Sequence, residues 1–392
     1  MQIMRIKAAL AFIVFLAIFT FPMVAVAQEL VQDKYEKLKA RVVEVVNEGV
    51  EFIPGTEVEH DIQTLRAEIL EGESKGQIIQ LVNDLVMLDK GNKFYLSRVT
   101  HWDSNIIQYG VADPYRGTAL WLLTIMFIIA TVVFGGKQGL RGLLSLAGSF
   151  AVIAFVLIPG ILAGHSPVLV AVGVSSLIIV LGSYVTHGFN KTTTAAVVGM
   201  IATVSLVGLL AKLSIGWASL TGFGADEAVY LNFSSGGTID LAGLLLGGIL
   251  IGLLGVMYDA AIGQAVSVEE LHRVAPHLPR RTIYARAVRI GREHIGALVN
   301  TLAIAYVGAS LPLLLMFSYT SESAGLILNR EIFATEIVRT MVGSIGLILT
   351  VPATTMIAVL MLVKPKRADE ETIEAEKRAL EHASAHHGHS HG

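Results

Sequence analysis

The sequence predicts an α-helical polytopic membrane bundle of about seven spans, preceded by a small N-terminal extracytoplasmic β-barrel-like domain of OB or SH3 type. Three observations predict it. Seven long apolar runs fill residues 116–363, a compact charged segment occupies 28–115, and positive charge gathers in every second loop between the runs. Composition agrees: 53% of the 392 residues are hydrophobic and 16% are charged, against roughly 25% charged in soluble chains. Too few polar residues remain to coat a globule of this size, so lipid must cover part of the surface. A net charge of −3 is too mild to point to nucleic acid. The absence of cysteine excludes disulfides, thiolate metal sites, iron–sulfur clusters and a cysteine nucleophile.

The first 27 residues read as a signal peptide. Arg5 and Lys7 precede an apolar run from Ala8 to about Val24, and Ala25-Val26-Ala27 fits the small-x-small cleavage pattern before Gln28. The run is also long enough for an uncleaved signal anchor; both readings place Gln28 onward outside the cytoplasm. Residues 28–115 hold 9 Lys/Arg and 16 Asp/Glu, a net of −7. Apolar and polar residues alternate from Lys37 to Val45 and from Ile62 to Leu70, the period of half-buried strands. Turns are marked by Pro54-Gly55, Gly72, Gly76, Lys90-Gly91-Asn92 and Asp103-Ser104-Asn105. Five strands in this length suit a small barrel. Its acidity reads as ordinary solubility, with cation concentration near a pore mouth as the functional alternative.

The apolar runs cover 118–135, 142–163, 167–186, 193–212, 240–262, 295–318 and 333–363, each near or above the length that crosses a bilayer. With residue 115 outside, the inner loops carry Lys137 and Arg141, then Lys191, then Arg273, Arg280, Arg281, Arg286, Arg289 and Arg292, and the tail opens with Lys364, Lys366 and Arg367. The outer loops offer little beyond Lys212 and Arg330. The positive-inside rule therefore puts the N-terminal domain outside and the C-terminus in the cytoplasm of a cell (inner or cytoplasmic) membrane. Pro159-Gly160 and Gly164-His165-Ser166-Pro167 mark a plain outer hairpin, with a re-entrant turn as the alternative.

Three runs carry polar stripes. In the fifth, Gly248, Gly252, Gly255 and Asp259 share one helical face. Small residues permit close helix packing, so this face is expected to point into the bundle and take Asp259 with it. A buried carboxylate there calls for a cation, a proton or a donor. In the sixth, Arg286, Arg289, Glu293 and Asn300 share a face; Arg286 reads as an anchor, whereas Glu293 and Asn300 lie deeper. In the seventh, Glu336, Arg339, Gly343, Gly346, Thr350 and Thr354 repeat at spacings of three and four, a stripe that faces protein or water rather than lipid. Asp259, Glu293, Asn300, Glu336 and Arg339 are thus the candidate substrate or ion pathway, and Gly248, Gly252, Gly255, Gly343 and Gly346 the candidate packing residues.

The loop over 263–294 is charged and proline-punctuated; it reads as an amphipathic connector that can dock a cytoplasmic partner. The tail, 364–392, is charged and then His-rich: His386, His387, His389 and His391 offer weak divalent-metal binding, and no other cofactor is expected. The glycine-rich helices can also join two copies into a homo-oligomer.

The stretch from Asp240 to Leu315 resembles the YibE/F-like family of bacterial integral membrane proteins. The resemblance rests on Gly255-Val256-Met257-Tyr258-Asp259, Glu269-Glu270-Leu271-His272, Ile290-Gly291-Arg292-Glu293-His294-Ile295-Gly296 and the run from Asn300 to Pro312. It extends to Glu336 through Gly346 and to Pro114-Tyr115-Arg116-Gly117. Two positions depart from the family pattern: Glu293, where an aspartate is common, and His294. The resemblance implies a multispan bacterial membrane protein without a settled activity. The expected function is that of a transporter or channel for a small solute, a cation or a proton-coupled substrate. The alternative is a non-transporting membrane sensor or assembly factor. An enzyme is not expected, because the chain lacks HExxH and shows no paired aspartates in separate spans within a recognisable local motif.

Overall fold

The computed structural model describes residues 33–53, 55–101 and 106–364. The signal peptide, the turn marks at Pro54 and Asp103-Ser104-Asn105, and the histidine tail lie outside the described residues. The chain divides into two compact units, residues 1–126 and 127–392.

The first unit holds an antiparallel sheet of β1 (Lys34–Phe52), β2 (Glu59–Ile69), β3 (Ile78–Asn83), β4 (Lys93–Thr100) and β5 (Ile107–Pro114), in the order β3-β2-β1-β4-β5. The long β1 serves two partners: Ala40–Phe52 pairs with β2 and Lys34–Arg41 with β4. Register shifts at Val42/Glu44 and Val45/Asn47 bend it between them. That bend brings β3 near β5 across the sheet. The inner face packs Val42, Leu65, Ile69, Leu81, Phe94 and Leu96, the alternate residues of the period-two pattern. Gln63 is buried but satisfied: its Oε1 accepts from Leu88 N at 2.8 Å and Asn83 Nδ2 at 3.1 Å. Surface pairs follow the alternation of charge. Hydrogen bonding by Lys34 and Lys39 holds the Glu36 and Glu71 carboxyls below their ordinary range.

The second unit is helical. Its elements begin with α1 (Gly117–Val152), whose first residues belong to the first unit, a π turn (Ile153–Leu157) and α2 (Ile158–Leu162). There follow α3 (Pro167–His187), α4 (Lys191–Trp217), α5 (Asp226–Ser234), α6 (Leu241–Val274) and α7 (Arg280–Ala309). The last three are α8 (Leu311–Ser318), α9 (Ala324–Leu328) and α10 (Glu331–Leu362). Among the described residues five helices are long and apolar enough to cross a membrane, six if the bent pair α7–α8 is one span.

This count falls below the seven expected spans, and the reason is local. The first two runs form one helical stretch of 46 residues, Gly117–Leu162, about 69 Å at 1.5 Å per residue and over twice a bilayer's hydrocarbon core. It is broken at Gly136, whose φ of 54° and ψ of −137° suit only glycine. A Cβ on Gly139 would collide with the Thr131 carbonyl oxygen. Residues eight apart would be roughly 12 Å apart along a straight helix, so the chain doubles back here. Gln138 Nε2 donates to Thr186 O at 3.2 Å, holding this turn beside the C-terminal end of α3.

The sixth run is not straight either. α7 and α8 meet at 61°, because Pro312 removes an N–H and crowds the preceding turn. The connector expected over 263–294 is mostly helix: α6 continues to Val274 and α7 starts at Arg280. Arg280, one of the positive charges of that connector, donates to the Val363 and Leu360 carbonyls (2.8 and 3.2 Å) and caps the end of α10.

Helix α10 packs against α4, α6 and α7. A Cβ on Gly346 would sit 2.5 Å from Val207 of α4, and one on Gly343 2.7 Å from Leu253 of α6. Neither position has room for a side chain unless a neighbour shifts. Gly248, Gly252 and Gly255 are exposed, and a Cβ at Gly248 or Gly255 would meet nothing within 4 Å. The face of α6 that is buried carries Leu246, Ile249, Leu250, Leu253, Met257 and Ala261. Bulky aliphatics make more van der Waals contacts with neighbouring helices than glycines do, so the helix turns them inward and leaves the glycines outside.

Gly346→Ala should therefore cost about 1–3 kcal/mol through overpacking, whereas Gly248→Ala should be neutral or slightly stabilising. Thermal melts of the two purified variants in detergent check this. Equal losses would mean that the glycine face of α6 is packed after all.

Candidate functional site

Two cavities open along the glycine face of α6. The one at the Glu331 end of α10, called outer for that end of the helix as the other is called inner for the Leu362 end, is about 470 Å³ and is walled by α5, α6, α10 and the α7–α8 junction. Its polar lining is Glu227, Ser310, Thr335, Glu336 and Arg339; leucines of α5, α6 and α8 make the apolar walls. Arg339 Nη1 donates to Glu336 Oε1 at 2.8 Å, and both side chains are half-buried. The three-residue spacing read from the sequence places them one above the other on α10. Thr335 is buried, and its hydroxyl lacks a hydrogen-bond partner among the described residues.

The roof of this cavity is the loop before α5. Glu331, the first residue of α10, accepts from Thr221 N (2.8 Å), Gly222 N (2.6 Å) and Thr221 Oγ1 (2.7 Å). One carboxylate thus fastens the loop bearing Gly222, Gly224 and Ala225 to α10. Asp240 caps α6 by accepting from Gly243 N at 2.9 Å, fixing the opposite wall.

The inner cavity, about 220 Å³, lies between α6, α7 and α10 and is lined by Asp259, Gln264, Ser267 and His294 among others. Asp259 makes no ion pair or hydrogen bond among the described residues. His294 turns Nδ1 to the Ile290 carbonyl at 3.1 Å. A carbonyl only accepts, so in the neutral ring Nδ1 carries the hydrogen and Nε2 is left as an acceptor. Gln264 is buried and accepts from Thr355 Oγ1 at 2.8 Å. It lies against Gly291, where a Cβ would approach its Nε2 to 2.6 Å. The pair ties α6 to α10 beneath the cavity.

The two cavities share one helix face. Gly248 lines the outer cavity; Asp259 and Gly263 line the inner one. Gly248 and Asp259 are separated by roughly 16 Å of helix rise. Between them Tyr306 of α7 leans over Gly252, its hydroxyl 3.1 Å from where a Cβ would be. This open groove takes the place of the buried carboxylate that the stripe suggested.

The five expected pathway residues separate accordingly. Glu336 and Arg339 meet in the outer cavity and Asp259 lines the inner one. Glu293 and Asn300 line neither cavity and are exposed. Helix α7 buries Ile283, Ala287, Gly291 and Leu302, and residues two positions away from that stripe point to the opposite side. Tyr306, Thr335, Glu331 and Gln264 escaped the sequence reading. Tyr306 and Gln264 are single polar residues among apolar neighbours, Thr335 stands beside Glu336 and Glu331 follows Asn329-Arg330, and only the partner elements reveal their use. His294 carried a signal, a histidine one turn from Ile290 beside the Glu293 stripe, but nothing tied it to Asp259.

Five or six apolar helices around cavities that hold a few charged groups fit an integral membrane protein. The family model for YibE/F-like protein matches residues 123–364, more than half of the chain, and the chain belongs to that family. The match includes the motifs from Gly255 to Gly346 and both cavities; the sheet and Pro114-Tyr115-Arg116-Gly117 precede it. No curated protein and no solved structure matches the chain.

The natural absence of cysteine allows a direct test of the groove. Single cysteines at Gly248, Gly255 and Asp259 should react with a water-soluble maleimide, while one at Leu250, on the buried face, should not. Uniform silence at the three groove positions would mean that lipid or protein, not water, fills it.

Proposed function

We propose that this chain is a transporter of a small solute, coupled to protons or to a cation, in a bacterial cytoplasmic membrane. The observation that supports it best is the pair of cavities at two depths of one glycine face, each setting a few charged or polar groups in a mostly apolar wall, with Tyr306 over Gly252 between them. Asp259, with no partner of its own, is the group that takes up the proton or cation. Glycines along α6 let α7 tilt and Tyr306 move aside without side chains colliding. A channel would need the same groove without the tyrosine constriction.

The break at Gly136 supports reading Gly117–Leu162 as two antiparallel spans, which restores seven. Val207 against Gly346 and Gly199 against Thr354 make α4 and α10 antiparallel, so the Lys191 and Val363 ends lie together. Lys137, Lys191 and Arg280 then share one side, which the positive-inside rule assigns to the cytoplasm. The sheet falls outside, and its order with β3 near β5 supports a five-stranded barrel of OB type.

A second reading, a non-transporting sensor or assembly factor, draws on Glu293 and Asn300. Their exposure on α7 at or near membrane depth asks for a protein neighbour, either a second copy or a partner reaching the inner end of α6 and α7.

Purified protein in liposomes should carry protons or a cation, and Asp259→Asn should lower the flux by about tenfold or more, given the cost of leaving that step without a charge carrier. Tyr306→Ala should raise leak through the groove. Flux unchanged by Asp259→Asn for every ion would sink the pathway and favour the assembly reading. For topology, a cysteine at Lys137 should be shielded in intact cells from an impermeant reagent that labels one at Ser166. Labelling of both from outside would refute the hairpin.

A further inference from the structure

Resting on the transporter reading, we propose that the outer cavity binds a small zwitterion with an aliphatic body, the chemistry of a free aliphatic α-amino acid. Its floor holds a cation and an anion in contact: Arg339 Nη1 donates to Glu336 Oε1 at 2.8 Å. That single bond leaves most of the guanidinium's five N–H donors and one carboxylate oxygen free for a ligand. A simple cation entering here meets Arg339, and a simple anion meets Glu336, so each gains one attraction and suffers one repulsion. A dipolar ligand satisfies both groups, carboxylate on Arg339 and ammonium on Glu336, and leaves neither charge stranded. Arginine is suited to this role by its bidentate fork.

Two further observations narrow the class. Thr335, adjacent to the pair, is buried with a hydroxyl that has no partner among the described residues, a spare polar group at the cavity wall. Opposite the charges stand Leu231, Leu244, Leu245 and Leu313, which would hold an aliphatic side chain out of water. A volume of about 470 Å³ is in the range of small-molecule sites. Glu227 adds a carboxylate, but it is exposed to solvent and screened.

The test uses full-length protein, purified and delipidated in detergent, with calorimetric titration of L-leucine, glycine, 3-methylbutylamine and 4-methylpentanoic acid. The amine is leucine without its carboxylate; the acid is leucine without its amine. Leucine should bind saturably and more tightly than glycine, and the two analogues should bind weaker by about tenfold or more, because each leaves one charge of the pair unmatched. Arg339→Gln should erase the preference for leucine over the amine, and Glu336→Gln its preference over the acid. The wild-type series decides the matter even if both variants misfold. Equal binding of leucine and either analogue, or no saturable binding of leucine, overturns the proposal. Binding of glycerophosphoethanolamine in leucine's place would assign the site to a lipid headgroup and overturn the amino-acid identity. Leucine binding without flux in liposomes would refute transport and leave this site standing; cation flux without zwitterion binding would do the reverse.

Discussion

The close seating of α10 at Gly343 and Gly346 sets the geometry on which both cavities depend. Side chains there would push against Leu253, Leu302 and Val207, so glycine lets α10 lie deep between α4, α6 and α7. Two turns toward the outer end of the same helix, Glu336 and Arg339 are thereby held in the wall of the outer cavity. Toward the inner end, Thr355 reaches Gln264 and fixes the floor of the inner cavity. The tightly packed seam at Gly343 and Gly346 thus lies behind the groove that runs between the two cavities.

Helix α6 contributes the other half of the design by having two unlike faces. One is leucine, isoleucine and methionine and is buried; the other is glycine, ending in Asp259, and is open. In hydrocarbon the hydrophobic effect does not decide which face turns inward, so van der Waals contact does. Large aliphatics make more contacts than glycine, and the glycine side becomes a groove. Tyr306 occupies that groove at mid-depth. Small shifts of one helix against another are the movements such a surface permits most easily.

The ends of the helices are tied by polar groups whose chemistry is local. Glu331 collects two backbone N–H groups and a hydroxyl from the loop before α5, and Arg280 covers two terminal carbonyls of α10. Both satisfy backbone groups that would otherwise be exposed at helix and loop ends. The sheet follows a separate logic, a period-two pattern bent at two bulges so that one strand serves two neighbours.

The amino-acid sequence by itself determined the elements: apolar runs long enough to span, strands from alternation, the family, and the Glu336–Arg339 pair, whose partners lie one turn apart on the same helix. Those properties depend on residues near one another in the chain. It also showed that Gly248, Gly252, Gly255 and Asp259 share a face, but periodicity defines a face without saying what it points at. Only tertiary packing decided that this face is a groove and that Glu293 and Asn300 stand outside it. It also brought His294, Gln264 and Tyr306 to the groove from separate positions in the chain. The physical reason is that contact energy between helices belongs to pairs of surfaces, and a single helix carries only half of each pair.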